Sequence, residues 1–132
     1  MSITFSIPGN PVPQPRTKVC VRNNKPHGYV EKKHPIHAYR QAVAFAAREA
    51  GVRQATGPVS IIIDAVFARP KSHMNKSGVK PKAPALPRPD VDNISKGVLD
   101  ALKSVMGDDT NVGRLLVEKS WGTEGRTTVR IT

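Results

Sequence analysis

The residues best suited to chemistry lie in one short segment. Asp90 and Asp92 are separated by a single residue, and Lys96 follows Asp92 by four positions. Pro89 keeps Arg88 extended, and if the run into the helix is still extended through Asp90 and Asp92, both carboxylates project to the same side. Carboxylates placed in this way can share a cation. The i, i+4 step puts Lys96 on the same helical face as Asp92.

A second acidic pair, Asp108 and Asp109, follows the helix predicted over residues 93–106. That helix is about 20 Å long, so a third carboxylate joins Asp90 and Asp92 only if the loop folds back. Oxygen ligands suit Mg²⁺, which polarises a phosphate and lowers the pKa of a bound water. Lys96 can stabilise the developing charge. The pattern therefore predicts metal-assisted cleavage of a phosphodiester.

The same acids also have a purely structural interpretation. Asp92 or Asn93 is a good helix N-cap, and residues 108–111 are typical of a turn after a helix. The occurrence of both motifs together in a basic chain with few other acids favours chemistry, and both interpretations stay open on the residues alone.

The elements that must position these residues follow from the apolar patterns. Alternation predicts strands, a 3.6-residue period predicts helices, and Pro-rich stretches predict loops. The resulting order is β-α-β-α-β-β, a mixed α/β domain over residues 1–132. The prediction has strands at 3–7, 59–67, 112–121 and 126–132, helices at 35–51 and 93–106, and loops at 8–33 and 69–88, with a possible short strand at 18–22 and the last two strands joined as a hairpin through residues 122–125.

The formal net charge of +11 points to a polyanionic partner, and nucleic acid is the leading candidate. Before residue 90 there are 15 Lys and Arg but only 3 acids, whereas from residue 90 onward there are 6 and 7. A protein that only binds nucleic acid does not need such clustered acids. A noncatalytic DNA- or RNA-binding protein nevertheless remains the alternative. The predicted DNA contacts are Arg16, Lys18, Arg69, Lys71, Lys76, Lys80, Lys82 and Arg88.

Cysteine content and apolar segments bear on location. Cys20 is the single cysteine, so no intrachain disulfide can form. The first residues do not resemble a signal peptide, and the apolar run at 59–68 is too short to span a membrane. We therefore expect a cytoplasmic protein.

Residues 88–102, RPDVDNISKGVLDAL, resemble the RusA-type Holliday-junction resolvases of bacteria and their prophages, as do Gly107-Asp-Asp109, Val112 and Leu116-Val-Glu-Lys119. Weaker echoes are Ile7 to Pro11, Tyr39-Arg40 and Gly57 to Val59. Together these segments cover most of the chain, and the Asp-x-Asp-Asn-x-x-Lys plus Asp-Asp combination is fairly specific.

The resemblance implies a homodimeric α/β endonuclease that resolves four-way DNA junctions by paired, symmetrical nicks. It implies Mg²⁺ as the cofactor, no small-molecule cofactor, and a bacterial or phage origin. It also implies that Asp90, Asp92 and Asp109 hold the metal and that Lys96 is the catalytic lysine. The stretch between Leu102 and Asp108 is shorter than the family usually has, so the choice between Asp108 and Asp109 stays open.

Overall fold

The computed structural model describes residues 2–132, which form a sheet, two helices and two small hairpins. In chain order the elements are β1 (Ile3–Pro8), β2 (Lys18–Arg22), β3 (Lys25–Tyr29), α1 (Ile36–Glu49), β4 (Val59–Ala68), β5 (Met74–Asn75), β6 (Gly78–Val79), α2 (Val91–Met106), β7 (Val112–Gly122) and β8 (Arg126–Ile131). Short 3₁₀ turns cover Lys71–His73 and Asp109–Asn111.

The main sheet is mixed, with strand order β1-β8-β4-β7. β4 is parallel to β7 and antiparallel to β8, which in turn is antiparallel to β1. β4 lies inside the sheet because its β-branched, apolar sequence suits burial. Ile61, Ile63 and Ala65, on one face of β4, are fully buried.

The core lies between the sheet and the two helices, and each helix contributes an apolar face to it. α1 packs beside α2 and against β1, while α2 also packs against β7. Val43 of α1 and Val98 of α2 are completely buried, as the 3.6-residue spacing predicts. The mixed α/β fold is therefore confirmed. Neither helix described in residues 2–132 has the length and apolar character needed to cross a membrane.

The predicted hairpin between the last two strands is wrong. β7 and β8 are not hydrogen-bonded to each other, because β4 lies between them. Residues 123–125 instead cross the end of β4, where the amide of Arg69 donates to the carbonyl of Gly122 at 3.0 Å. The physical reason is burial: β4 is the most apolar strand, and neighbours on both edges satisfy its backbone.

The two long loops contain small hairpins of their own. β2 pairs with β3, which confirms the short strand at 18–22, and β5 pairs with β6. Asn23 and Asn24 form the β2–β3 turn with φ of 51° and 61°, a left-handed conformation that asparagine tolerates well.

Candidate active site

The start of α2 is set by Pro89 and Asp90. Asp90 is the N-cap residue with extended backbone (φ −69°, ψ 145°), and its carbonyl accepts the first helical hydrogen bond from the amide of Ile94 at 3.1 Å. The helix begins at Val91, earlier than the predicted Asn93. Asp92 is consequently in the first helical turn, so the condition of an extended run through both acids is not met. The start is earlier because Asp90, rather than Asp92 or Asn93, takes the N-cap position.

Neither carboxylate is used by the fold in residues 2–132. The Asp90 side chain makes no capping hydrogen bond, and the ion pairs of the described chain include neither Asp90 nor Asp92. Both residues are exposed, as is Lys96 one turn further on. Carboxylate oxygens that are free of such contacts are available as ligands for a cation.

Asp108 and Asp109 lie at the opposite end of α2. Asp109 is 3.7 Å from the ammonium of Lys103, in the last turn of the helix. Asp108 caps the following 3₁₀ turn by accepting from the amide of Thr110 at 3.4 Å. Hydrogen bonds from Asp109 and from the Thr110 amide, together with the Lys103 charge, hold the pKa of Asp108 below its ordinary value of 3.8. Asp108 therefore has a structural role in its own turn.

Within one chain the structure does not bring Asp109 to Asp90 and Asp92. The 16 residues of α2 span about 24 Å between the two ends. No cluster of three His, Cys, Asp or Glu side chains able to hold a metal occurs in residues 2–132. Asp109 as a metal ligand stays a prediction.

A side chain of β7, Lys119, reaches the candidate site and was not predicted to do so. Its Nζ donates to the carbonyl of Pro89 at 2.8 Å, immediately before Asp90. In the parallel register Lys119 lies opposite Ala65, and Trp121 opposite Phe67, so both point to the buried side of the sheet. The sequence predicts that Lys119 and Trp121 share one face of the strand. The nearness of Lys119 to Pro89, however, depends on the order of the strands in the sheet.

Residues 8–132 match the family model described as Endodeoxyribonuclease RusA. The chain belongs to the RusA endodeoxyribonuclease family. The resemblance drawn from the sequence is thereby confirmed, and the chain is a nuclease that acts on DNA. Membership also supports Holliday-junction-resolving endonuclease activity, and nucleases of this family are generally dependent on a divalent metal.

Among curated proteins, the chain is similar to the uncharacterized protein YqaN of Bacillus subtilis (strain 168). The two are 36% identical over 136 residues, which cover 98% of this chain and 94% of the relative. The family assignment favours an enzyme over the noncatalytic nucleic-acid-binding alternative.

In this RusA-family chain, two predicted DNA contacts border the Asp90 carboxylate. Arg16 and Arg88 line a cleft with Asp90, together with His34 and Asn93. The segment carrying Arg16 is held against α2, because the amide of Gln14 donates to the carbonyl of Asn93 at 2.9 Å. The two arginines and the Asp90 carboxylate therefore share one cleft at the start of α2.

Glycine in α2 leaves room for the close approach of that segment. A Cβ added at Gly97 would lie 3.3 Å from the carbonyl oxygen of Val12 and 3.3 Å from Ile36 Cδ1. Only a residue without a side chain leaves this space free, so Gly97 helps to bring the arginine-bearing segment against the helix.

The remaining basic residues differ in how freely they can meet DNA. Arg69 stacks over Trp121 at 5.1 Å and donates to the carbonyl of Pro84 at 3.3 Å, so its guanidinium is engaged within the fold. Lys18 is paired with Glu31, which raises the pKa of Lys18 and lowers that of Glu31. A phosphate must compete with Glu31 for it. The other loop lysines, Lys71, Lys76, Lys80 and Lys82, are exposed.

The β2–β3 hairpin has two chemically different faces. Val19 and Val21, which are 68% and 71% exposed, lie on the face that also holds Pro26 and Gly28. The opposite face is basic and polar, with Lys18, Cys20, Arg22, Lys25, His27 and Tyr29. The basic face adds positively charged residues to the predicted DNA contacts. Only the strand pairing shows that these residues share one face.

Proposed function

We propose that the chain is a Mg²⁺-dependent resolvase that cuts four-way DNA junctions in the bacterial cytoplasm by paired, symmetrical nicks. It acts as a homodimer with one domain, residues 1–132, in each subunit. The observation that carries this proposal is a pair of exposed carboxylates at the start of α2, Asp90 and Asp92, the first of which lines a cleft with two arginines. Such an arrangement combines oxygen ligands for a hard cation with positive charge for DNA phosphates.

In this proposal the carboxylates of Asp90 and Asp92 hold the cation. When bound, Mg²⁺ polarises the scissile phosphate and supplies a water of lowered pKa. Lys96 donates hydrogen bonds to the charge that develops on the phosphate oxygens. Arg16 and Arg88 bind flanking phosphates and hold the strand in register with the carboxylates.

Asp109 enters the proposal from a second subunit. Oxygen ligands of one Mg²⁺ lie within about 4 Å of each other, since each metal–oxygen distance is about 2.1 Å. A separation of about 24 Å along α2 excludes such a contact within one rigid chain. The third carboxylate of a site at Asp90 is therefore supplied by Asp109 of the partner subunit.

The free edge of β7 supports such an assembly. β7 is hydrogen-bonded only to β4 among the described strands, and Leu115 and Leu116 are 40% and 38% exposed at its middle. The strand starts beside Asp109 and passes Pro89 at Lys119, so it runs antiparallel to α2.

Two copies joined antiparallel through their β7 edges place the start of one strand beside the end of the other. Asp109 of the partner subunit then approaches Asp90. A twofold axis also generates two such sites, as symmetrical cuts in a four-way junction require.

The activity is tested with an end-labelled synthetic four-way junction and a linear duplex of matched sequence, each with Mg²⁺ or with EDTA. We expect symmetrical nicks in the junction only with Mg²⁺, and none from Asp92→Asn. Asp64→Asn is the matched control, because Asp64 lies opposite Thr128 and Glu118 in the sheet, away from α2. Tight junction binding without cleavage under any divalent ion would contradict the proposal.

A further inference from the structure

Lys119 makes a contact that the proposed chemistry does not use. Its ammonium is partly buried and donates to the carbonyl oxygen of Pro89 at 2.8 Å. The ion pairs within residues 2–132 do not include it. A partly buried ammonium needs hydrogen-bond acceptors, and here the protein acceptor is a main-chain carbonyl next to a candidate metal ligand.

That carbonyl controls the direction of Asp90. The proline ring restricts φ of Pro89 to about −65°, which leaves ψ as its one soft backbone angle. Holding the Pro89 carbonyl fixes ψ, and the same peptide plane carries the amide nitrogen of Asp90. Lys119 thus constrains the backbone at Asp90, the N-cap residue of α2. The direction of the Asp90 side chain is constrained with it.

A second side chain of β7 holds the same segment upstream. Trp121 Nε1 donates to the carbonyl of Pro84 at 3.0 Å, and Arg69 donates to the same oxygen. His73 packs edge-on against the Trp121 ring with centroids 5.3 Å apart. Lys119 and Trp121 therefore attach residues 84–89, which lead into α2, to the sheet at two points.

We propose that Lys119 is a positioning residue that sets Asp90 for cation binding. The inference rests on the proposed function, because it assigns Asp90 to the metal. Groups that orient metal ligands without touching the metal change metal affinity by about 10- to 100-fold when removed. Lys119 acts in this way through the Pro89 peptide and has no role in holding DNA.

The test compares Lys119→Met, which removes the donor, with Lys119→Arg, which keeps the charge and donors. Mn²⁺ affinity is measured without DNA by electron paramagnetic resonance of the free ion, and junction affinity is measured in EDTA. We expect Lys119→Met to weaken Mn²⁺ binding by about 10- to 100-fold with unchanged junction affinity. Lys119→Arg should restore most of the Mn²⁺ affinity.

Lys76→Met is the matched control, since Lys76 is an exposed loop lysine. It should leave Mn²⁺ affinity unchanged and weaken junction binding. Circular dichroism melting checks that each variant folds, and Lys119→Leu, which also lacks a donor, replaces Lys119→Met if the latter does not fold.

Asp92→Asn distinguishes a failure of the proposed metal site from a failure of the positioning role of Lys119. If Asp92→Asn loses Mn²⁺ binding while Lys119→Met retains it, the positioning role is overturned and the metal site stands. If wild-type Mn²⁺ binding does not depend on Asp92, the metal site and the role of Lys119 both fail. A Lys119→Arg variant as weak in Mn²⁺ binding as Lys119→Met also overturns the inference.

Discussion

Subunit mixing provides a direct test of a site shared between two chains. Asp92→Asn and Asp109→Asn should each abolish cleavage, because each removes one carboxylate from both sites of a homodimer. In a heterodimer of the two variants, one site contains both substitutions and the other contains neither. Activity should therefore return on mixing, although each variant is inactive alone.

The expected size of the recovery follows from counting sites. Every dimer purified through both tags is a heterodimer with one intact site in two, so its nicking rate should be about half that of wild type, whereas random pairing of equal amounts without this selection gives about a quarter. Each heterodimer cuts one strand only. The product should therefore be a nicked junction rather than two resolved duplexes.

The assay uses subunits carrying two different tags, co-expressed and purified through both, and then incubated with labelled junction and Mg²⁺. Gel electrophoresis separates nicked from resolved products. No cleavage from a purified heterodimer would refute the shared site, and full activity of Asp109→Asn alone would remove Asp109 from the metal centre. Asp108→Asn is the matched control, because Asp108 caps its own turn.

Three further predictions concern DNA binding, assembly and stability. Replacing the four lysines of residues 71–82 with Gln should lower the slope of log affinity against log salt by about 3 to 4 per subunit, and an unchanged slope in filter binding would exclude this loop from the DNA interface. Leu116→Asp should shift the mass found by light scattering from a dimer to the 14.3 kDa monomer, and an unaltered dimer would place the interface elsewhere. Tyr39→Phe should lower the free energy of unfolding by about 1–3 kcal/mol, because Thr127, fully buried, loses its 2.6 Å hydrogen bond to the phenol. Burial raises the pKa of Tyr39 above 10.0, so the folded state favours the neutral phenol, and wild type should lose stability above about pH 10 more steeply than Tyr39→Phe in urea titrations.

The local elements were predictable because their signals are short in range. The apolar spacing of Val98, Ala101 and Leu102 predicted α2, and the β-branched run from residue 59 predicted β4. The start of α2 was displaced because several nearby polar residues could serve as the N-cap. Such a choice depends on small differences between neighbouring sites.

Strand neighbours could not be predicted in the same way. A short connection such as residues 123–125 favours a hairpin between β7 and β8, yet β4 separates the two strands. The strand order is decided by the burial of β4 between β7 and β8. No local sequence pattern predicts that burial. The approach of Lys119 to Pro89 follows from that order, since it needs β7 at the edge beside the start of α2.

The sequence by itself determined the family, the α/β class and the types of group offered for chemistry: Asp90, Asp92, Lys96 and a basic surface. These depend on residue identity and short spacing, which are written locally in the chain. Tertiary structure alone decided that Arg16 and Arg88 border Asp90, that Lys119 holds the preceding peptide, and that Asp109 lies at the far end of α2. Those relations depend on the length of a rigid helix and on the order of strands packed against it, which are properties of the whole folded chain.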